Sequence, residues 1–163
     1  MKLDQVDISI LNALQDNART GLEHLAHVSG VSIASVQRRL KALREGGFIL
    51  REVALLDGAK LGQAMTFIIM VELERERLDQ IDDFVKRARQ EPQVQQCYYV
   101  TGEADFCLIC IAKDMAEFEA LTHRLFFQNA NVRRFRTSVV MGRKKIGLNV
   151  PLGDTSTAGF VRL

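Results

Sequence analysis

The stretch that decides the fold of the first half is residues 21–44, which read GLEHLAHVSGVSIASVQRRLKALR. Apolar residues at helical spacing predict a short helix over Gly21 to Val28 and a longer helix that begins after Ser32, a good N-cap. Ser29-Gly30-Val31 breaks the pattern between them. Two helices joined by so short a turn are typical of a helix-turn-helix, whose second helix enters the major groove of DNA.

The second of these helices has two chemically different faces. One arc of the helical wheel is apolar and is the predicted core face, formed by Ile33, Val36, Leu40 and Leu43. The opposite face carries small residues, which let the backbone approach base edges, and cations that reach guanine acceptors or phosphates. A basic helix can also simply be solvated, but the turn and the cap favour DNA contact. The predicted DNA-binding residues are Ser32, Ala34, Ser35, Gln37, Arg38, Arg39, Lys41 and Arg44.

The residues on either side complete a small domain. A first helix is predicted from Asp4, as its N-cap, to Gln15, because apolar residues recur there at helical spacing. After the helix stop signal Gly46-Gly47, the apolar and β-forming stretch Phe48 to Leu56 predicts a short wing or linker strand. We therefore expect a winged helix-turn-helix over residues 1–56, followed by a compact hinge at 57–63.

The remaining hundred residues alternate strands and helices. Apolar runs predict four strands, at Ala64 to Leu73, Val94 to Val100, Phe106 to Ala112 and Val132 to Met141. Two helices, at about 77–90 and from Asp114 to about Asn129, are predicted to bury Leu78, Ile81, Phe84, Val85, Ala88, Met115, Phe118, Leu121 and Leu125. The order is that of the ferredoxin-like βαββαβ unit, in which both helices cover one face of an antiparallel sheet. The chain is thus predicted to be α+β, with this second domain over 64–152.

Two of the predicted strands are apolar on both faces. Ile68-Ile69-Met70 and Leu108-Ile109-Cys110-Ile111 leave no polar side chains for the face that the helices do not cover. An exposed apolar face of that size predicts a partner. A homodimer joined sheet to sheet is the simplest one, because its two-fold symmetry also presents two recognition helices to two DNA half-sites.

Composition excludes some classes of protein and leaves others open. A formal net charge of +2 does not by itself indicate a nucleic-acid binder. No apolar run approaches the roughly 20 residues that span a bilayer, and the first residues lack a signal core, so we expect a cytoplasmic protein. Cys107 and Cys110 lie three apart on a predicted strand and point to opposite faces, so they cannot share a metal ion. We predict no metal site and no cofactor.

Short motifs in a fixed order link the two halves. They are Leu3-Asp4 with Asp7 and Ile10-Leu11, Asp16 with Arg19, Leu25-Ala26, Val31-Ser32, Arg39 with Leu43, Gly47 with Ile49, Leu61-Gly62, Val100-Thr101-Gly102 with Asp105, Val132, Thr137, Lys145 and Pro151-Leu152. In this combination, residues 3–152 resemble the Lrp/AsnC family of feast/famine transcriptional regulators. The resemblance implies dimers that often assemble into octamers, and amino-acid effectors bound between dimers.

The same resemblance implies a location for the effector. It places the effector at the turn around Gly102, with weaker candidates on the last strand; the residues concerned are Val100, Thr101, Gly102, Glu103, Asp105, Thr137, Ser138 and Val140. A glycine lets a ligand meet the backbone directly, and a carboxylate such as Asp105 can accept hydrogen bonds from an ammonium group. An ordinary hairpin turn would also favour Gly and Asp.

The chain departs from the family pattern at two places. Gly21 stands where Ser or Thr usually caps the second helix, and His24 stands where Glu is usual. Gly is still an acceptable cap, and neither position lies on the predicted DNA-contacting face. The tail 153–163 lies beyond the resemblance, and we expect it to be disordered.

Two other functions are compatible with this layout. Siroheme decarboxylases resemble it, but they carry a His-x-Tyr-Asn-Leu-Trp type motif where this chain has Thr101-Gly-Glu-Ala-Asp, and this chain has no Trp. Its histidines, His24, His27 and His123, are scattered along the sequence, so the expectation is that it is not an enzyme. An architectural protein that compacts DNA without regulating a particular gene stays open, because the same fold could serve it.

Overall fold

The computed structural model describes residues 2–153, so the prediction for the tail lies outside the described residues from position 154 onward. The chain divides into two compact units. Among the described residues, one comprises 2–55 together with 146–153, and the other comprises Leu56–Lys145. This division differs from the predicted one, because residues 146–152 belong with the N-terminal helices and not with the second domain.

Three helices form the N-terminal unit: α1 over Gln5–Asp16, α2 over Leu22–Ser29 and α3 over Ile33–Glu45. Asp4 caps α1, and its carboxylate accepts a hydrogen bond from the backbone N–H of Asp7 at 2.9 Å. Gly30 ends α2 with a φ of 69°, a left-handed conformation that favours glycine. The predicted helix-turn-helix is therefore confirmed, including its turn.

The predicted wing strand over Phe48 to Leu56 is wrong. The N–H groups of Phe48 and Ile49 both donate to the carbonyl of Leu43, and these two hydrogen bonds close the C-terminal end of α3. Residues 50–56 have no secondary structure. β-forming side chains make a strand only where a neighbouring strand offers backbone partners. The described residues of this unit contain none, and Leu50 is 91% exposed.

The returning segment 146–152 lies against α1. The side chain of Leu152 packs on the apolar cluster that contains Ile10 and Leu11, and the Nδ2 group of Asn12 donates to the Leu152 carbonyl at 3.3 Å. Apolar residues alternate here at Ile146, Leu148, Val150 and Leu152, but this local pattern could not show that the segment joins the N-terminal core.

The second unit is the predicted ferredoxin-like unit. Its elements are β1 over Met65–Leu73, α4 over Leu78–Gln90, β2 over Val94–Tyr99, β3 over Phe106–Ala112, α5 over Met115–Thr122, a π-helix over His123–Phe127 and β4 over Val132–Val139. The strands lie in the order β2-β3-β1-β4, and all pairs are antiparallel. The predicted βαββαβ order is confirmed.

Three details of this unit differ from the prediction. The last helix changes from α to π at His123, and β4 ends two residues early. Leu78 and Met115 were predicted to be buried but are 80% and 53% exposed. Each is the first residue of its helix and follows directly on a loop. Its side chain therefore does not lie over the sheet, although the helical period would place it on the buried face.

One face of the sheet carries the core of the unit. Phe67, Ile69 and Val71 alternate along β1 and are fully buried, and the Phe67 ring stacks on that of Phe118 in α5 at 3.8 Å. Cys110 faces this core, whereas Cys107 is paired with Met70 on the opposite face, as the spacing predicted. All three cysteine thiols are free.

Neither α4 nor α5 packs on the opposite face of the sheet. Ile68 and Tyr98 lie on it with 37% and 48% of their surface exposed, and Met70, Ile109 and Ile111 are half-buried there. These five residues form the open face of the sheet.

Candidate nucleic-acid interface and effector turn

The α3 helix is held by its apolar side. Val36 and Leu43 are fully buried, and Leu40 is 6% exposed. Ile33 is an exception to the predicted core face, because it is 42% exposed at the first turn. The Ser32 hydroxyl accepts a hydrogen bond from the N–H of Ser35 at 3.3 Å and so caps the helix. These contacts fix which side of α3 is turned outward.

Most of the residues predicted to contact DNA lie on that outward side. Ser32, Ala34, Gln37, Arg38, Lys41 and Arg44 are exposed, and Ser35 is half-buried. Lys41 forms a loose ion pair with Glu45 at 3.8 Å, and Arg44 pairs with Glu52 at 2.8 Å. Arg38 has no ion pair with any residue that the structure describes. Arg38 could therefore bind DNA without first breaking an ion pair, whereas Lys41 and Arg44 would each have to break one.

Arg39 differs from the other predicted DNA contacts. Its Nη1 group donates to the Asp7 carboxylate at 2.8 Å and to the Asp4 carboxylate at 2.9 Å. The Asp7 side chain is only 5% exposed. Arg39 thus ties α3 to the start of α1, which makes a phosphate contact by the same guanidinium compete with a partly buried ion pair.

The pKa shifts of Asp4 and Arg39 have the directions expected for an ion pair between α1 and α3. The N–H of Asp7, followed by the Arg39 guanidinium, lowers the pKa of the Asp4 carboxyl. The two carboxylates, first that of Asp7 and then that of Asp4, raise the pKa of Arg39. The short distances from Arg39 to both carboxylates and these two shifts describe the same ion pair.

The predicted effector turn lies between β2 and β3. Gly102 has a φ of 114°, and Thr101, Gly102 and Glu103 are exposed. Asp105 holds the base of the turn: its carboxylate accepts from the N–H of Leu73 at 2.6 Å, and its carbonyl accepts from the N–H of Val100 at 2.8 Å. One carboxylate oxygen of Asp105 is thus already engaged in the fold, which leaves the exposed Glu103 as the freer carboxylate.

Arg136 on β4 was not predicted but lies at this turn. Its Nη2 group donates to the Glu103 carbonyl at 3.3 Å and to the Glu72 carboxylate at the same distance. The Arg134 guanidinium, which also bonds Glu72, lowers the pKa of the Glu72 carboxyl. The sequence could not predict that Arg136 lies beside Glu72 and Glu103, because this contact depends on the register in which β4 pairs with β1.

The weaker effector candidates do not gather at the turn. Thr137 and Ser138 pair with Ile69 and Ile68, and consecutive strand residues point to opposite faces. The N–H of Val140 bonds the carbonyl of Thr66, at the other end of β1 from Val71, whose carbonyl accepts from Asp105. Thr66 and Val71 are five residue steps apart along β1, which is about 17 Å. Within one chain, Val140 cannot share a small ligand with the Gly102 turn.

No helix between positions 2 and 153 is long and apolar enough to cross a membrane. In that same part of the chain, no group of three or more His, Cys, Asp or Glu residues is placed to hold a metal ion.

A helix-turn-helix unit joined to a ferredoxin-like unit is the architecture of a class of DNA-binding transcriptional regulators that carry their own ligand-binding domain. Comparison with known proteins narrows this class. The chain matches the AsnC-type helix-turn-helix domain over residues 3–44 and the Lrp/AsnC ligand binding domain over residues 66–150. The chain therefore belongs to the Lrp/AsnC family of transcriptional regulators.

Individual relatives are similar to this chain over most of its length. An HTH-type transcriptional regulator of Sinorhizobium fredii is 45% identical over 93% of this chain and 90% of its own. The Bkd operon transcriptional regulator of Pseudomonas aeruginosa is 37% identical over 76% of this chain and 82% of its own. A crystal structure of a Neisseria meningitidis transcriptional regulator in complex with L-Met is 30% identical, with a TM-score of 0.87 over 93% of this chain and 98% of that one.

Proposed function

We propose that this transcriptional regulator reads DNA with the outward face of α3 and that its DNA binding or assembly responds to an amino acid. The observation that carries the DNA part is the exposed set around Arg38, with small residues at the helix N-terminus and cations one and two turns further on. The proposed contacts are Ser32, Ala34, Ser35, Gln37, Arg38, Lys41 and Arg44. Arg39 is proposed to orient α3 and not to bind phosphate.

The experiment for this part is footprinting on duplexes selected from a random pool. A regulator of particular genes protects discrete half-sites whose centres lie about one helical turn apart, roughly 10 base pairs. Uniform, strongly salt-dependent protection would instead support the architectural function. The relatives reported above are named as transcriptional regulators, which favours the first result and gives no support to a decarboxylase-like activity.

The effector is proposed to be an amino acid that binds at the Gly102 turn. Support comes from the matched ligand-binding domain and from the L-Met complex of the Neisseria regulator. The turn offers backbone groups at Gly102 and the exposed carboxylate of Glu103 for an ammonium group. The turn is open to solvent in a single chain, so we propose that a second subunit completes the pocket.

A thermal-shift screen with each of the twenty amino acids tests this proposal. At least one amino acid is expected to raise the midpoint of unfolding, and Gly102→Val is expected to abolish that rise by blocking ligand approach. The matched control is Gly62→Val, because Gly62 also has a positive φ, of 80°, and lies in the same unit away from the turn. An unchanged ligand response in Gly102→Val would contradict this position for the pocket.

The open face is proposed to be the surface of a homodimer, and dimers are proposed to assemble further, up to octamers. Ile68→Arg is expected to give monomers in sedimentation experiments, because a charge would be buried without a partner. Leu78→Arg is the control, since Leu78 is also exposed and apolar but lies on α4. Wild-type protein that sediments as a monomer would contradict the dimer.

A further inference from the structure

The second connection between the two units is the segment that returns from β4 to α1. The first connection is the stretch from Leu50 to Gln63, which leads from the N-terminal unit into β1. The second begins after β4, leaves the C-terminal unit between Lys145 and Ile146, and ends on α1 at residues 149–152. We call residues 149–152 the C-terminal clip.

The clip is held by a specific set of hydrogen bonds. The Gln15 side chain accepts from the N–H of Val150 through Oε1 at 2.6 Å and donates to the carbonyl of Val150 through Nε2 at 3.1 Å. This reciprocal pair resembles the bonding of two antiparallel strands, with a side-chain amide in place of one backbone. One turn earlier, Asn12 donates to the carbonyl of Leu152 at 3.3 Å.

An apolar contact adds to these bonds. The side chain of Leu152 packs on the N-terminal core, whereas Val150 is 58% exposed and is held through its backbone alone. Glutamine and asparagine on one face of a helix, three residues apart, would ordinarily be solvated. Here both side chains are aimed at the backbone of a segment from the far end of the chain.

Each end of the segment is fixed to an element with a proposed function. At its start, the N–H of Val140 bonds the Thr66 carbonyl at 2.9 Å, and Arg143 donates to the Thr66 hydroxyl at 2.7 Å. At its end lies α1, whose first turn holds Arg39 of α3 through Asp4 and Asp7. The segment is therefore bonded to the sheet at its start and to α1 at its end, and the covalent chain over 144–148 joins these two points.

We propose that the C-terminal clip couples the two units, so that a change in the ferredoxin-like unit reaches the recognition helix through Gln15. The functional meaning of this coupling rests on the proposed effector response. The coupling itself is a property of the chain and can be measured without an effector, because linkage is reciprocal and DNA bound to one unit must then alter the other.

The experiment is amide hydrogen exchange on the full chain, with and without the duplex selected as described above. In wild type, DNA is expected to change the exchange rate at Val140 by about fivefold. In Gln15→Ala this change is expected to vanish, and the Val150 amide is expected to exchange roughly fivefold to tenfold faster without DNA, as the loss of one hydrogen bond predicts. Gln15→Glu keeps the acceptor for the Val150 N–H and is expected to give an intermediate result.

The matched control is Gln5→Ala, because Gln5 is exposed on the same helix and makes no side-chain hydrogen bond with a described residue. It should behave as wild type. A wild type in which DNA leaves Val140 unchanged overturns the proposal, and so does a Gln15→Ala variant that keeps the full change. If no amino acid shifts the unfolding midpoint but Gln15 still governs the DNA-induced change, the effector proposal fails and the clip stands.

Discussion

Replacement of Arg39 by alanine separates the stability of the DNA-binding unit from its DNA contacts. The guanidinium bonds the Asp7 carboxylate, whose side chain is only 5% exposed. Loss of a charge-assisted hydrogen bond to such a group costs about 1.5–3 kcal/mol. The bond to the exposed Asp4 adds less, and Arg39 Nε already lacks a partner among the described residues, which reduces the loss. We expect the free energy of unfolding of the N-terminal unit to fall by about 2 kcal/mol.

The two units can be followed by different signals in one urea titration. Both tyrosines of the chain, Tyr98 and Tyr99, lie at the end of β2, so tyrosine fluorescence reports on the ferredoxin-like unit alone. Helical circular dichroism reports on both units. Arg39→Ala should add an early transition in circular dichroism and leave the fluorescence midpoint unchanged, whereas Arg38→Ala should change neither. Identical unfolding curves for Arg39→Ala and wild type would refute the structural role of Arg39.

Three further predictions concern stability and reactivity. Gly21→Ser should stabilise the N-terminal unit by a few tenths of a kcal/mol, because Gly21 caps α2 with no side-chain hydrogen bond and nothing lies within 4 Å of an added Cβ; a lower thermal midpoint would contradict this. Burial raises the pKa of the Cys110 thiol to about 12, so iodoacetamide at pH 8 should alkylate Cys110 only after unfolding, as peptide mass analysis can show. The Asp4 carboxyl has a lowered pKa, so its contribution to stability is present above its ordinary value of 3.8 and is lost as the pH falls below that value; Asp4→Asn should flatten the acid limb of the unfolding curve, and an unchanged limb would show that Asp4 does not contribute.

The helix-turn-helix and the βαββαβ order could be predicted because their signals are local. Helical spacing, the Ser32 cap and the Gly30 turn specify α2 and α3 within twenty-odd residues, and apolar alternation specifies each strand. The predictions from sequence fail where the local pattern of a segment does not match the partners that it finds in the folded chain. Phe48 to Leu56 has strand-forming residues but no neighbouring strand among the described residues, and the clip forms no strand but is bonded to side chains of α1.

The candidate site shows the same division. The outward face of α3 follows from helical periodicity, which predicts that most of these residues are exposed, as the structure has them. The helical period of α3 could not show that Arg39, at the edge of this face, bonds Asp7, because the two residues are 32 apart in sequence. Arg136 was missed for the same reason, since only the pairing of β4 with β1 brings it to the Gly102 turn.

The most direct test of DNA reading by α3 is the affinity of Arg38→Ala for the selected duplex, measured at fixed salt by fluorescence anisotropy. Lys86→Ala, which removes an exposed cation of α4, serves as the charge-matched control. Loss of one specific contact should weaken Arg38→Ala binding by about tenfold, with less discrimination between the selected duplex and a scrambled one. The control should bind as wild type. A folded Arg38→Ala protein that binds and discriminates as well as wild type would contradict the assignment of α3 as the recognition helix.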